Sequence, residues 1–192
     1  MLCSRPSTRS NIHRMPPNYH VLPVEVFETI LDQASDHRRS LRNISLTCHI
    51  FLPRARHHLF NSILVKSKEQ MHSVPVFLQA NLWLLPLVQV VKLRAKRSLP
   101  IEMQYSYGWL EAVPVPLLAQ LPNLCCFDLQ GIGPLHGSLS PSRLTLSALG
   151  VYSAPIRHLE LTRIAFSRID DLMRYLLAFP SLSRLACEDV WF

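Results

Sequence analysis

A six-residue pattern is clearest in Ile156-Arg157-His158-Leu159-Glu160-Leu161, whose first, fourth and sixth residues are apolar. Three more segments follow the same apolar-x-x-apolar-x-apolar template at irregular intervals, and they begin at Val88, Leu124 and Leu182. Alternation of apolar and other residues over such short runs is typical of β-strands. The template therefore predicts strands that recur along the second half of the chain.

Five strands are predicted in all, at residues 63–65, 88–93, 125–129, 156–161 and 183–187. Helical patterns separate several of them, at residues 67–78, 108–121 and 168–179, and the last begins with Ser167 and Asp170 at the spacing of a capping box. Strands that alternate with helices pair in parallel. Residues 61–192 are thus predicted to form an irregular, incomplete array of strand-helix units, and a small mixed α/β domain remains the alternative.

The end of this array is predicted to be unusual. Each unit of a repeat array leaves an apolar face that the next unit covers, so arrays need polar caps. Here the last predicted strand leads directly to Trp191 and Phe192. This ending indicates a truncated or degenerate array, or a carboxyl terminus that packs against the preceding unit.

Three short helices are predicted within residues 20–60, after a flexible leader at residues 1–19 that is rich in Ser, Arg and Pro. Pro23 suits a first helical turn, Ser40 is the expected N-cap of the second helix, and Pro53 precedes the third at residues 54–60. So small a unit buries little surface by itself. Its apolar faces need either the rest of the chain or another protein.

Composition limits the class of protein. Hydrophobic residues make up 48% of the 192 residues and charged residues 17%, which favours a folded chain over a disordered one. No apolar run approaches the roughly 20 residues of a membrane span, and the amino terminus lacks the apolar core of a secretory signal. The five cysteines show no C-x-x-C spacing, and adjacent Cys125 and Cys126 are interpreted as packing residues. These features predict a cytoplasmic or nuclear protein with reduced thiols.

The usual enzyme motifs are missing from the sequence. His57 and His58 have no acidic or cysteine partner at metal-ligand spacing, so they are predicted to be solvent-exposed. Asp170 and Asp171 fall in the first turn of a predicted helix, where negative charge is stabilised. The sequence therefore predicts a protein that is not an enzyme, with no catalytic residues, no cofactor and no metal.

The net charge of +7 raises a nucleic-acid binder as a rival function. Such a protein requires a contiguous basic face with interleaved aromatic residues, and its affinity falls steeply with salt. The basic residues are dispersed, with local density at residues 38–42, 54–56 and 92–97. Dispersal favours a solvated surface over nucleic-acid binding.

Residues 21–60 resemble the F-box, in the F-box-like form common in mushroom-forming fungi. The resemblance is carried by Leu22-Pro23, by Glu25-Val26 with Ile30-Leu31, and by Ser45-Leu46-Thr47-Cys48 with Phe51, in that order. The rest of the chain resembles the leucine-rich repeats that often follow fungal F-boxes. The expected fold is therefore α+β or α/β, with a three-helix F-box module followed by an incomplete leucine-rich-repeat-like array.

This resemblance implies a substrate-recruiting adaptor subunit of a ubiquitin ligase. The three helices would bind a Skp-type adaptor, and through it a cullin, while the repeat region would hold an unknown protein substrate. The expected adaptor-binding residues are Leu22, Pro23, Ile30, Leu31, Leu46 and Phe51, while Val26, Ile44 and Cys48 are expected in the interior. On this basis Leu31→Lys should abolish adaptor binding. A protein-interaction module outside any ligase complex stays open as the alternative.

Overall fold

The computed structural model describes residues 23–95, 115–134 and 137–192. In these ranges the chain forms seven α-helices, one 3₁₀ helix at Leu82–Leu87 and five β-strands. The helices are α1 (Val24–Gln33), α2 (Arg38–Thr47), α3 (Leu52–Phe60), α4 (Lys68–Ala80), α5 (Val115–Leu118), α6 (Arg143–Tyr152) and α7 (Ile169–Leu177). The strands are β1 (Ser62–Val65), β2 (Val90–Arg94), β3 (Cys126–Gln130), β4 (His158–Ala165) and β5 (Arg184–Trp191).

The five strands form one parallel sheet in chain order, β1-β2-β3-β4-β5. The fourth residue of each template segment lies in one row across the sheet, and the sixth residue lies in another. The first row contains Val91, Phe127, Leu159 and Leu185; the second contains Leu93, Leu129, Leu161 and Cys187. Both rows face the same side because side chains alternate along a strand. The predicted strands and the mixed α/β class are confirmed.

Several helix boundaries differ from the sequence predictions. The second helix begins at Arg38 with His37 at its N-cap, so the assignment of Ser40 as cap was wrong. The capping box before α7 is also absent, because Arg168 is the N-cap and makes no side-chain cap bond. Instead, the hydroxyl oxygen of Ser167 lies 2.7 Å from that of Ser138. A tertiary contact thus replaced the local cap at Ser167.

Helix α6 was not predicted at all. Its first turn is capped by Ser142, whose Oγ accepts a hydrogen bond from the Thr145 amide at 3.2 Å. At its other end the buried Ser153 donates to the Ala178 carbonyl at 2.6 Å, which joins the ends of α6 and α7. Of the predicted helix at residues 108–121, only the part from 115 is described, and it contains the single turn of α5.

The described residues form two separate apolar cores. The larger core lies between the sheet and the helices that connect its strands. The smaller core lies within α1, α2 and α3, which we call the helical trio, and consists of Leu31, Leu41 and Ala55. Ile44 and Phe51 pack against the smaller core, whereas Val26, which was expected inside, is exposed. The trio therefore has an interior of its own.

Helix α3 connects the trio to the sheet, since it packs against both β1 and the 3₁₀ helix. The guanidinium group of Arg38 donates to the carbonyl oxygens of Leu59 at 3.0 Å and Ser62 at 3.2 Å, so α2 is tied to the start of β1. Trp83 packs edge-to-face with Phe60, and the Arg56 guanidinium lies 5.0 Å from the Trp83 ring centre. The β1 edge of the sheet is thus held against the trio.

Candidate protein-interaction surfaces

The six residues expected to bind an adaptor have different environments. Leu22 lies outside the described residues. Pro23 is exposed at the N-cap of α1. Ile30 is 51% exposed and Leu46 is 85% exposed, although both are large apolar side chains. These exposed positions are the ones through which the trio can contact another protein.

Two of the six are part of the trio's own packing. Leu31 is only 1% exposed and belongs to the small core, so its side chain is not available to a partner. Phe51 is half-buried, and its ring packs edge-on against Phe27 with 5.2 Å between ring centres. Leu31 is consequently a folding residue of the trio, and a Lys at this position would test folding before it tested binding.

Further exposed apolar residues accompany Ile30 and Leu46 on the trio. Val26 lies one helical turn before Ile30, so the two share one side of α1. Ile50 is exposed in the turn between α2 and α3. We call Val26, Ile30, Leu46 and Ile50 the trio's apolar surface. Val26 and Ile30 adjoin one another on α1, and exposed apolar groups that adjoin one another are typical of interaction sites.

An ion-pair cluster holds α1 against α3. Asp32 accepts two hydrogen bonds from Arg54, both at 2.6 Å, in the bidentate arrangement that matches a guanidinium to a carboxylate. Nε2 of His58 lies 2.7 Å from Oδ1 of the same carboxylate. Hydrogen bonds from Arg54 and then His58 hold the pKa of Asp32 well below its usual range. The carboxylate therefore stays ionised and keeps the two helices in register.

The prediction that His57 and His58 are solvent-exposed was wrong. His58 is largely buried beside Asp32, a partner 26 residues away that spacing along the sequence does not reveal. His57 is half-buried, and its Nδ1 is shielded from solvent without a hydrogen-bond partner. Burial, followed by the nearby charges of His58 and Arg54, lowers the pKa of His57. Within the described residues, no three His, Cys, Asp or Glu side chains are grouped to hold a metal.

The face of the sheet opposite the main core carries charged side chains of both signs. Lys92 and Arg94 lie on β2, Asp128 and Glu160 lie on β3 and β4, and β5 carries both Arg184 and Glu188. These side chains point away from the rows of core residues because strand positions alternate. Lys92 and Asp128 form an ion pair at 3.5 Å between β2 and β3. This charged face is the second candidate interaction surface.

The adjacent cysteines lie at the start of β3, with Cys125 just before the strand and Cys126 as its first residue. The Cys125 thiol donates to the Gln89 carbonyl at 3.6 Å. Burial, with the nearby carboxylate of Glu160, raises the pKa of Cys126 to about 11. A thiol with such a pKa is protonated at neutral pH and is a poor nucleophile. This environment agrees with the interpretation of the pair as packing residues.

Several cationic side chains in the basic segments have partners within the chain. Arg38 binds backbone carbonyls, Arg54 binds Asp32 and Arg56 lies over Trp83. Lys92 binds Asp128, while residues 96 and 97 lie outside the described part of the chain. Charges that are already paired within the chain gain less from neutralising phosphates. No observation favours a nucleic-acid interface.

An apolar hollow of about 170 Å³, which sequence reasoning missed, lies where the trio meets the sheet. The exposed rings of Phe77 and Trp83 lie in this region. The pattern of α4 carries a weak signal for it, since Val74, Phe77 and Leu78 recur at i, i+3 and i+4 and all line the hollow. The hollow is lined by Phe60, Ser62, Ile63, Val74, Phe77, Leu78, Leu84 and Val88.

Comparison with known proteins adds no assignment. No protein-family model matches the chain, and neither a curated protein nor a solved structure does so. Among the described residues, no helix is long and apolar enough to cross a membrane. The two surfaces described above are therefore the candidate functional sites.

Proposed function

We propose that this chain is a non-catalytic adaptor subunit of a Skp-cullin-F-box ubiquitin ligase. In this proposal the helical trio is an F-box-like module that binds a Skp-type adaptor, and the leucine-rich-repeat-like sheet region binds a protein substrate. The observation that carries the proposal is the exposure of the trio's apolar surface. A cytoplasmic or nuclear location is part of the same proposal.

The trio supports this role because its own packing leaves the apolar surface uncovered. Leu31, Leu41 and Ala55 fill the interior, and α3 is the helix that packs against the sheet. Ile30 and Leu46 remain exposed to solvent. Burying such side chains against a partner gains about 25 cal/mol for each Å² of apolar surface removed from water. A second protein that covers this surface would therefore be held by the hydrophobic effect.

The sheet region supports substrate binding through its charged face. Basic residues on β2, acidic residues on β3 and β4, and both Arg184 and Glu188 on β5 present charges of both signs across the parallel sheet. A surface of this kind selects partners by complementary charge and speeds their association more than it raises affinity. We expect a substrate segment with acidic groups near Arg94 and basic groups near Glu160. Its binding should weaken as the salt concentration rises.

The test is co-expression of the full chain with a Skp-type adaptor, followed by purification of the complex. The wild-type chain should form a stable one-to-one complex. Ile30→Lys and Leu46→Lys should each reduce recovery of the adaptor at least tenfold, because they place a charge in the proposed interface. Both residues are exposed in the free chain, so folding should be unaffected, which circular dichroism can establish.

The matched control is Leu144→Lys on α6. Leu144 is 84% exposed, almost the same as Leu46, but it belongs to the sheet region. This variant should bind the adaptor as the wild type does. If the folded wild-type chain forms no complex, or if all three variants bind equally well, the ligase proposal is wrong. A protein-interaction module outside any ligase would then be the better interpretation.

A further inference from the structure

The last strand of the sheet has an unpaired outer edge. β5 pairs with β4 on one side, and in the part of the chain that the structure describes no strand lies on its other side. The strand runs from Arg184 to Trp191 and contains no proline. Free backbone donors and acceptors along such an edge readily bind another strand. The opposite edge, at β1, is shorter and is flanked by α3.

The core side of β5 is also uncovered. Leu185 and Cys187 lie in the same rows as the buried Leu159 and Leu161, yet both are exposed. Helix α7 adds three exposed apolar residues, Ile169, Met173 and Leu177, which are spaced four apart and so line one side of the helix. We call these five residues the β5 surface.

The charges of β5 indicate what can cover this surface. Arg184 and Glu188 lie at the two ends of a five-residue run centred on Ala186. Asp189 follows with a φ of 53°, which interrupts the regular strand, so the run ends at residue 188. Neither Arg184 nor Glu188 forms an ion pair with any other described residue. When two copies of this run are placed antiparallel, the positive Arg184 of each therefore faces the negative Glu188 of the other.

We propose that a second copy of this chain binds at the β5 surface, with the two β5 strands paired antiparallel about a two-fold axis at Ala186. Arg184 then lies opposite Glu188 of the second copy, and Leu185 lies opposite Cys187 of the second copy. The pairing joins two five-stranded sheets into one. It closes on itself as a dimer because both copies use the same surface.

Two features favour this arrangement over others. A parallel pairing in register would place Arg184 against Arg184 of the second copy, and like charges directly opposite one another are destabilising. A two-fold axis perpendicular to the sheet keeps both helical layers on the same side. Leu185 of each copy then lies on the core side of the joined sheet, opposite Cys187 of the other copy. The inference does not depend on the proposed adaptor function.

Analytical ultracentrifugation of the full chain over a dilution series tests this dimer. The wild-type chain should show a reversible equilibrium between monomer and dimer. Arg184→Glu and Glu188→Arg should each weaken the dimer about tenfold, because each creates two like-charge pairs across the axis. The double variant, with both charges exchanged, should restore wild-type association. Arg143→Glu, which makes the same charge change on α6, is the control and should have no effect.

Cross-linking gives an independent measurement of the register. In a Cys187→Ser background, Ala186→Cys should form a disulfide between the two copies of residue 186 on mild oxidation, since opposed residues of antiparallel strands lie about 4.5–5.5 Å apart between Cα atoms. Ser147→Cys on α6 should not cross-link. The proposal is overturned if the chain stays monomeric at every concentration. It is also overturned if Arg184→Glu and Glu188→Arg leave the dimer as stable as in the wild type, or if the double variant does not restore association. Failure of residue 186 to cross-link in a dimer overturns the register.

Discussion

The two edges of the sheet have opposite environments. At the β1 end the helical trio packs against the edge, and Arg38 donates to a carbonyl oxygen of β1 itself. At the β5 end an eight-residue strand keeps its outer edge free among the described residues, with Leu185 exposed. The same strand pattern therefore gives a buried leucine in the middle of the sheet and an exposed one at its end. The position of a strand in the sheet thus decides whether its leucine is buried or exposed.

The largest effect is expected from breaking the trio that covers the β1 end. Leu31→Lys places a charge among Leu41 and Ala55, at a cost of about 4 kcal/mol or more in the free energy of unfolding. We expect the trio to lose its protection from hydrogen exchange while β3 and β4 keep theirs. Ile30→Lys, one position away but exposed, should change stability by about 0.5 kcal/mol or less. Equal protection of the trio in both variants would contradict the separate trio core.

Two leucines in one row of the sheet allow the contribution of a leucine to stability to be compared between the middle of the sheet and its β5 edge. Leu159 is 0% exposed and Leu185 is 43% exposed, and they are register partners on β4 and β5. Leu159→Ala should destabilise the fold by about 2–5 kcal/mol. Leu185→Ala should cost about 1 kcal/mol or less in the monomer, because less apolar surface is buried there. Urea unfolding at low protein concentration measures both, and equal losses would mean that the β5 end is covered.

A smaller effect is expected from the tie between α2 and β1. Arg38→Gln removes the guanidinium bonds to Leu59 and Ser62 and should cost about 1 kcal/mol, since these bonds are exposed. The neighbouring Arg39→Gln removes the same charge from an exposed position and should be close to neutral. Hydrogen exchange at β1 should increase in the Arg38 variant but not in the Arg39 variant. The reverse order would show that Arg38 does not hold this edge.

The smallest effect is a dependence of trio stability on pH. Burial lowers the pKa of His57 in the folded chain, whereas in the unfolded chain this histidine has its ordinary pKa of about 6.5. Just below that pH the unfolded chain therefore binds more protons than the folded chain. Stability from this group is therefore present above about pH 6.5 and is lost as the pH falls towards the folded pKa. The lowered pKa of Asp32 acts in a more acidic window, since its contribution is lost only well below about pH 4.

The measurement is the melting temperature at about pH 7.5 and about pH 5.5, one above and one below about 6.5, the ordinary pKa of histidine. His57→Asn should reduce the fall in melting temperature between them relative to the wild type. Asp32→Asn should lower the melting temperature at both values because it removes the partner of Arg54. An unchanged pH dependence in the His57 variant would rule out its titration as the cause.

Sequence reasoning succeeded where structure follows from local periodicity. The recurring template predicted β2 and β3 closely and the first half of β4, because a buried strand needs apolar residues at alternate positions whatever its neighbours are. It failed where a local signal competed with a distant contact. Ser167 has a suitable capping partner in Asp170, but it contacts Ser138 instead. Helix α6 was missed because its apolar residues Leu144 and Val151 are exposed and give no clear stripe.

Among the candidate site residues, periodicity correctly placed the apolar positions on the trio's helices but did not separate interior from surface. Ile30 and Leu31 are adjacent and equally hydrophobic, so no pattern within α1 assigns one to the core and the other to solvent. That assignment depends on where α2 and α3 lie. The contact of His58 with Asp32 has the same origin, since it joins residues on two different helices.

The amino-acid sequence by itself determined that this protein has short helices followed by parallel strands, because both periodicities are properties of a few neighbouring residues. Only the tertiary structure decided which apolar side chains are exposed, which histidine meets a carboxylate, and which edge of the sheet is covered. Those outcomes depend on how elements far apart in the chain pack in space, and local periodicity contains no information about that packing.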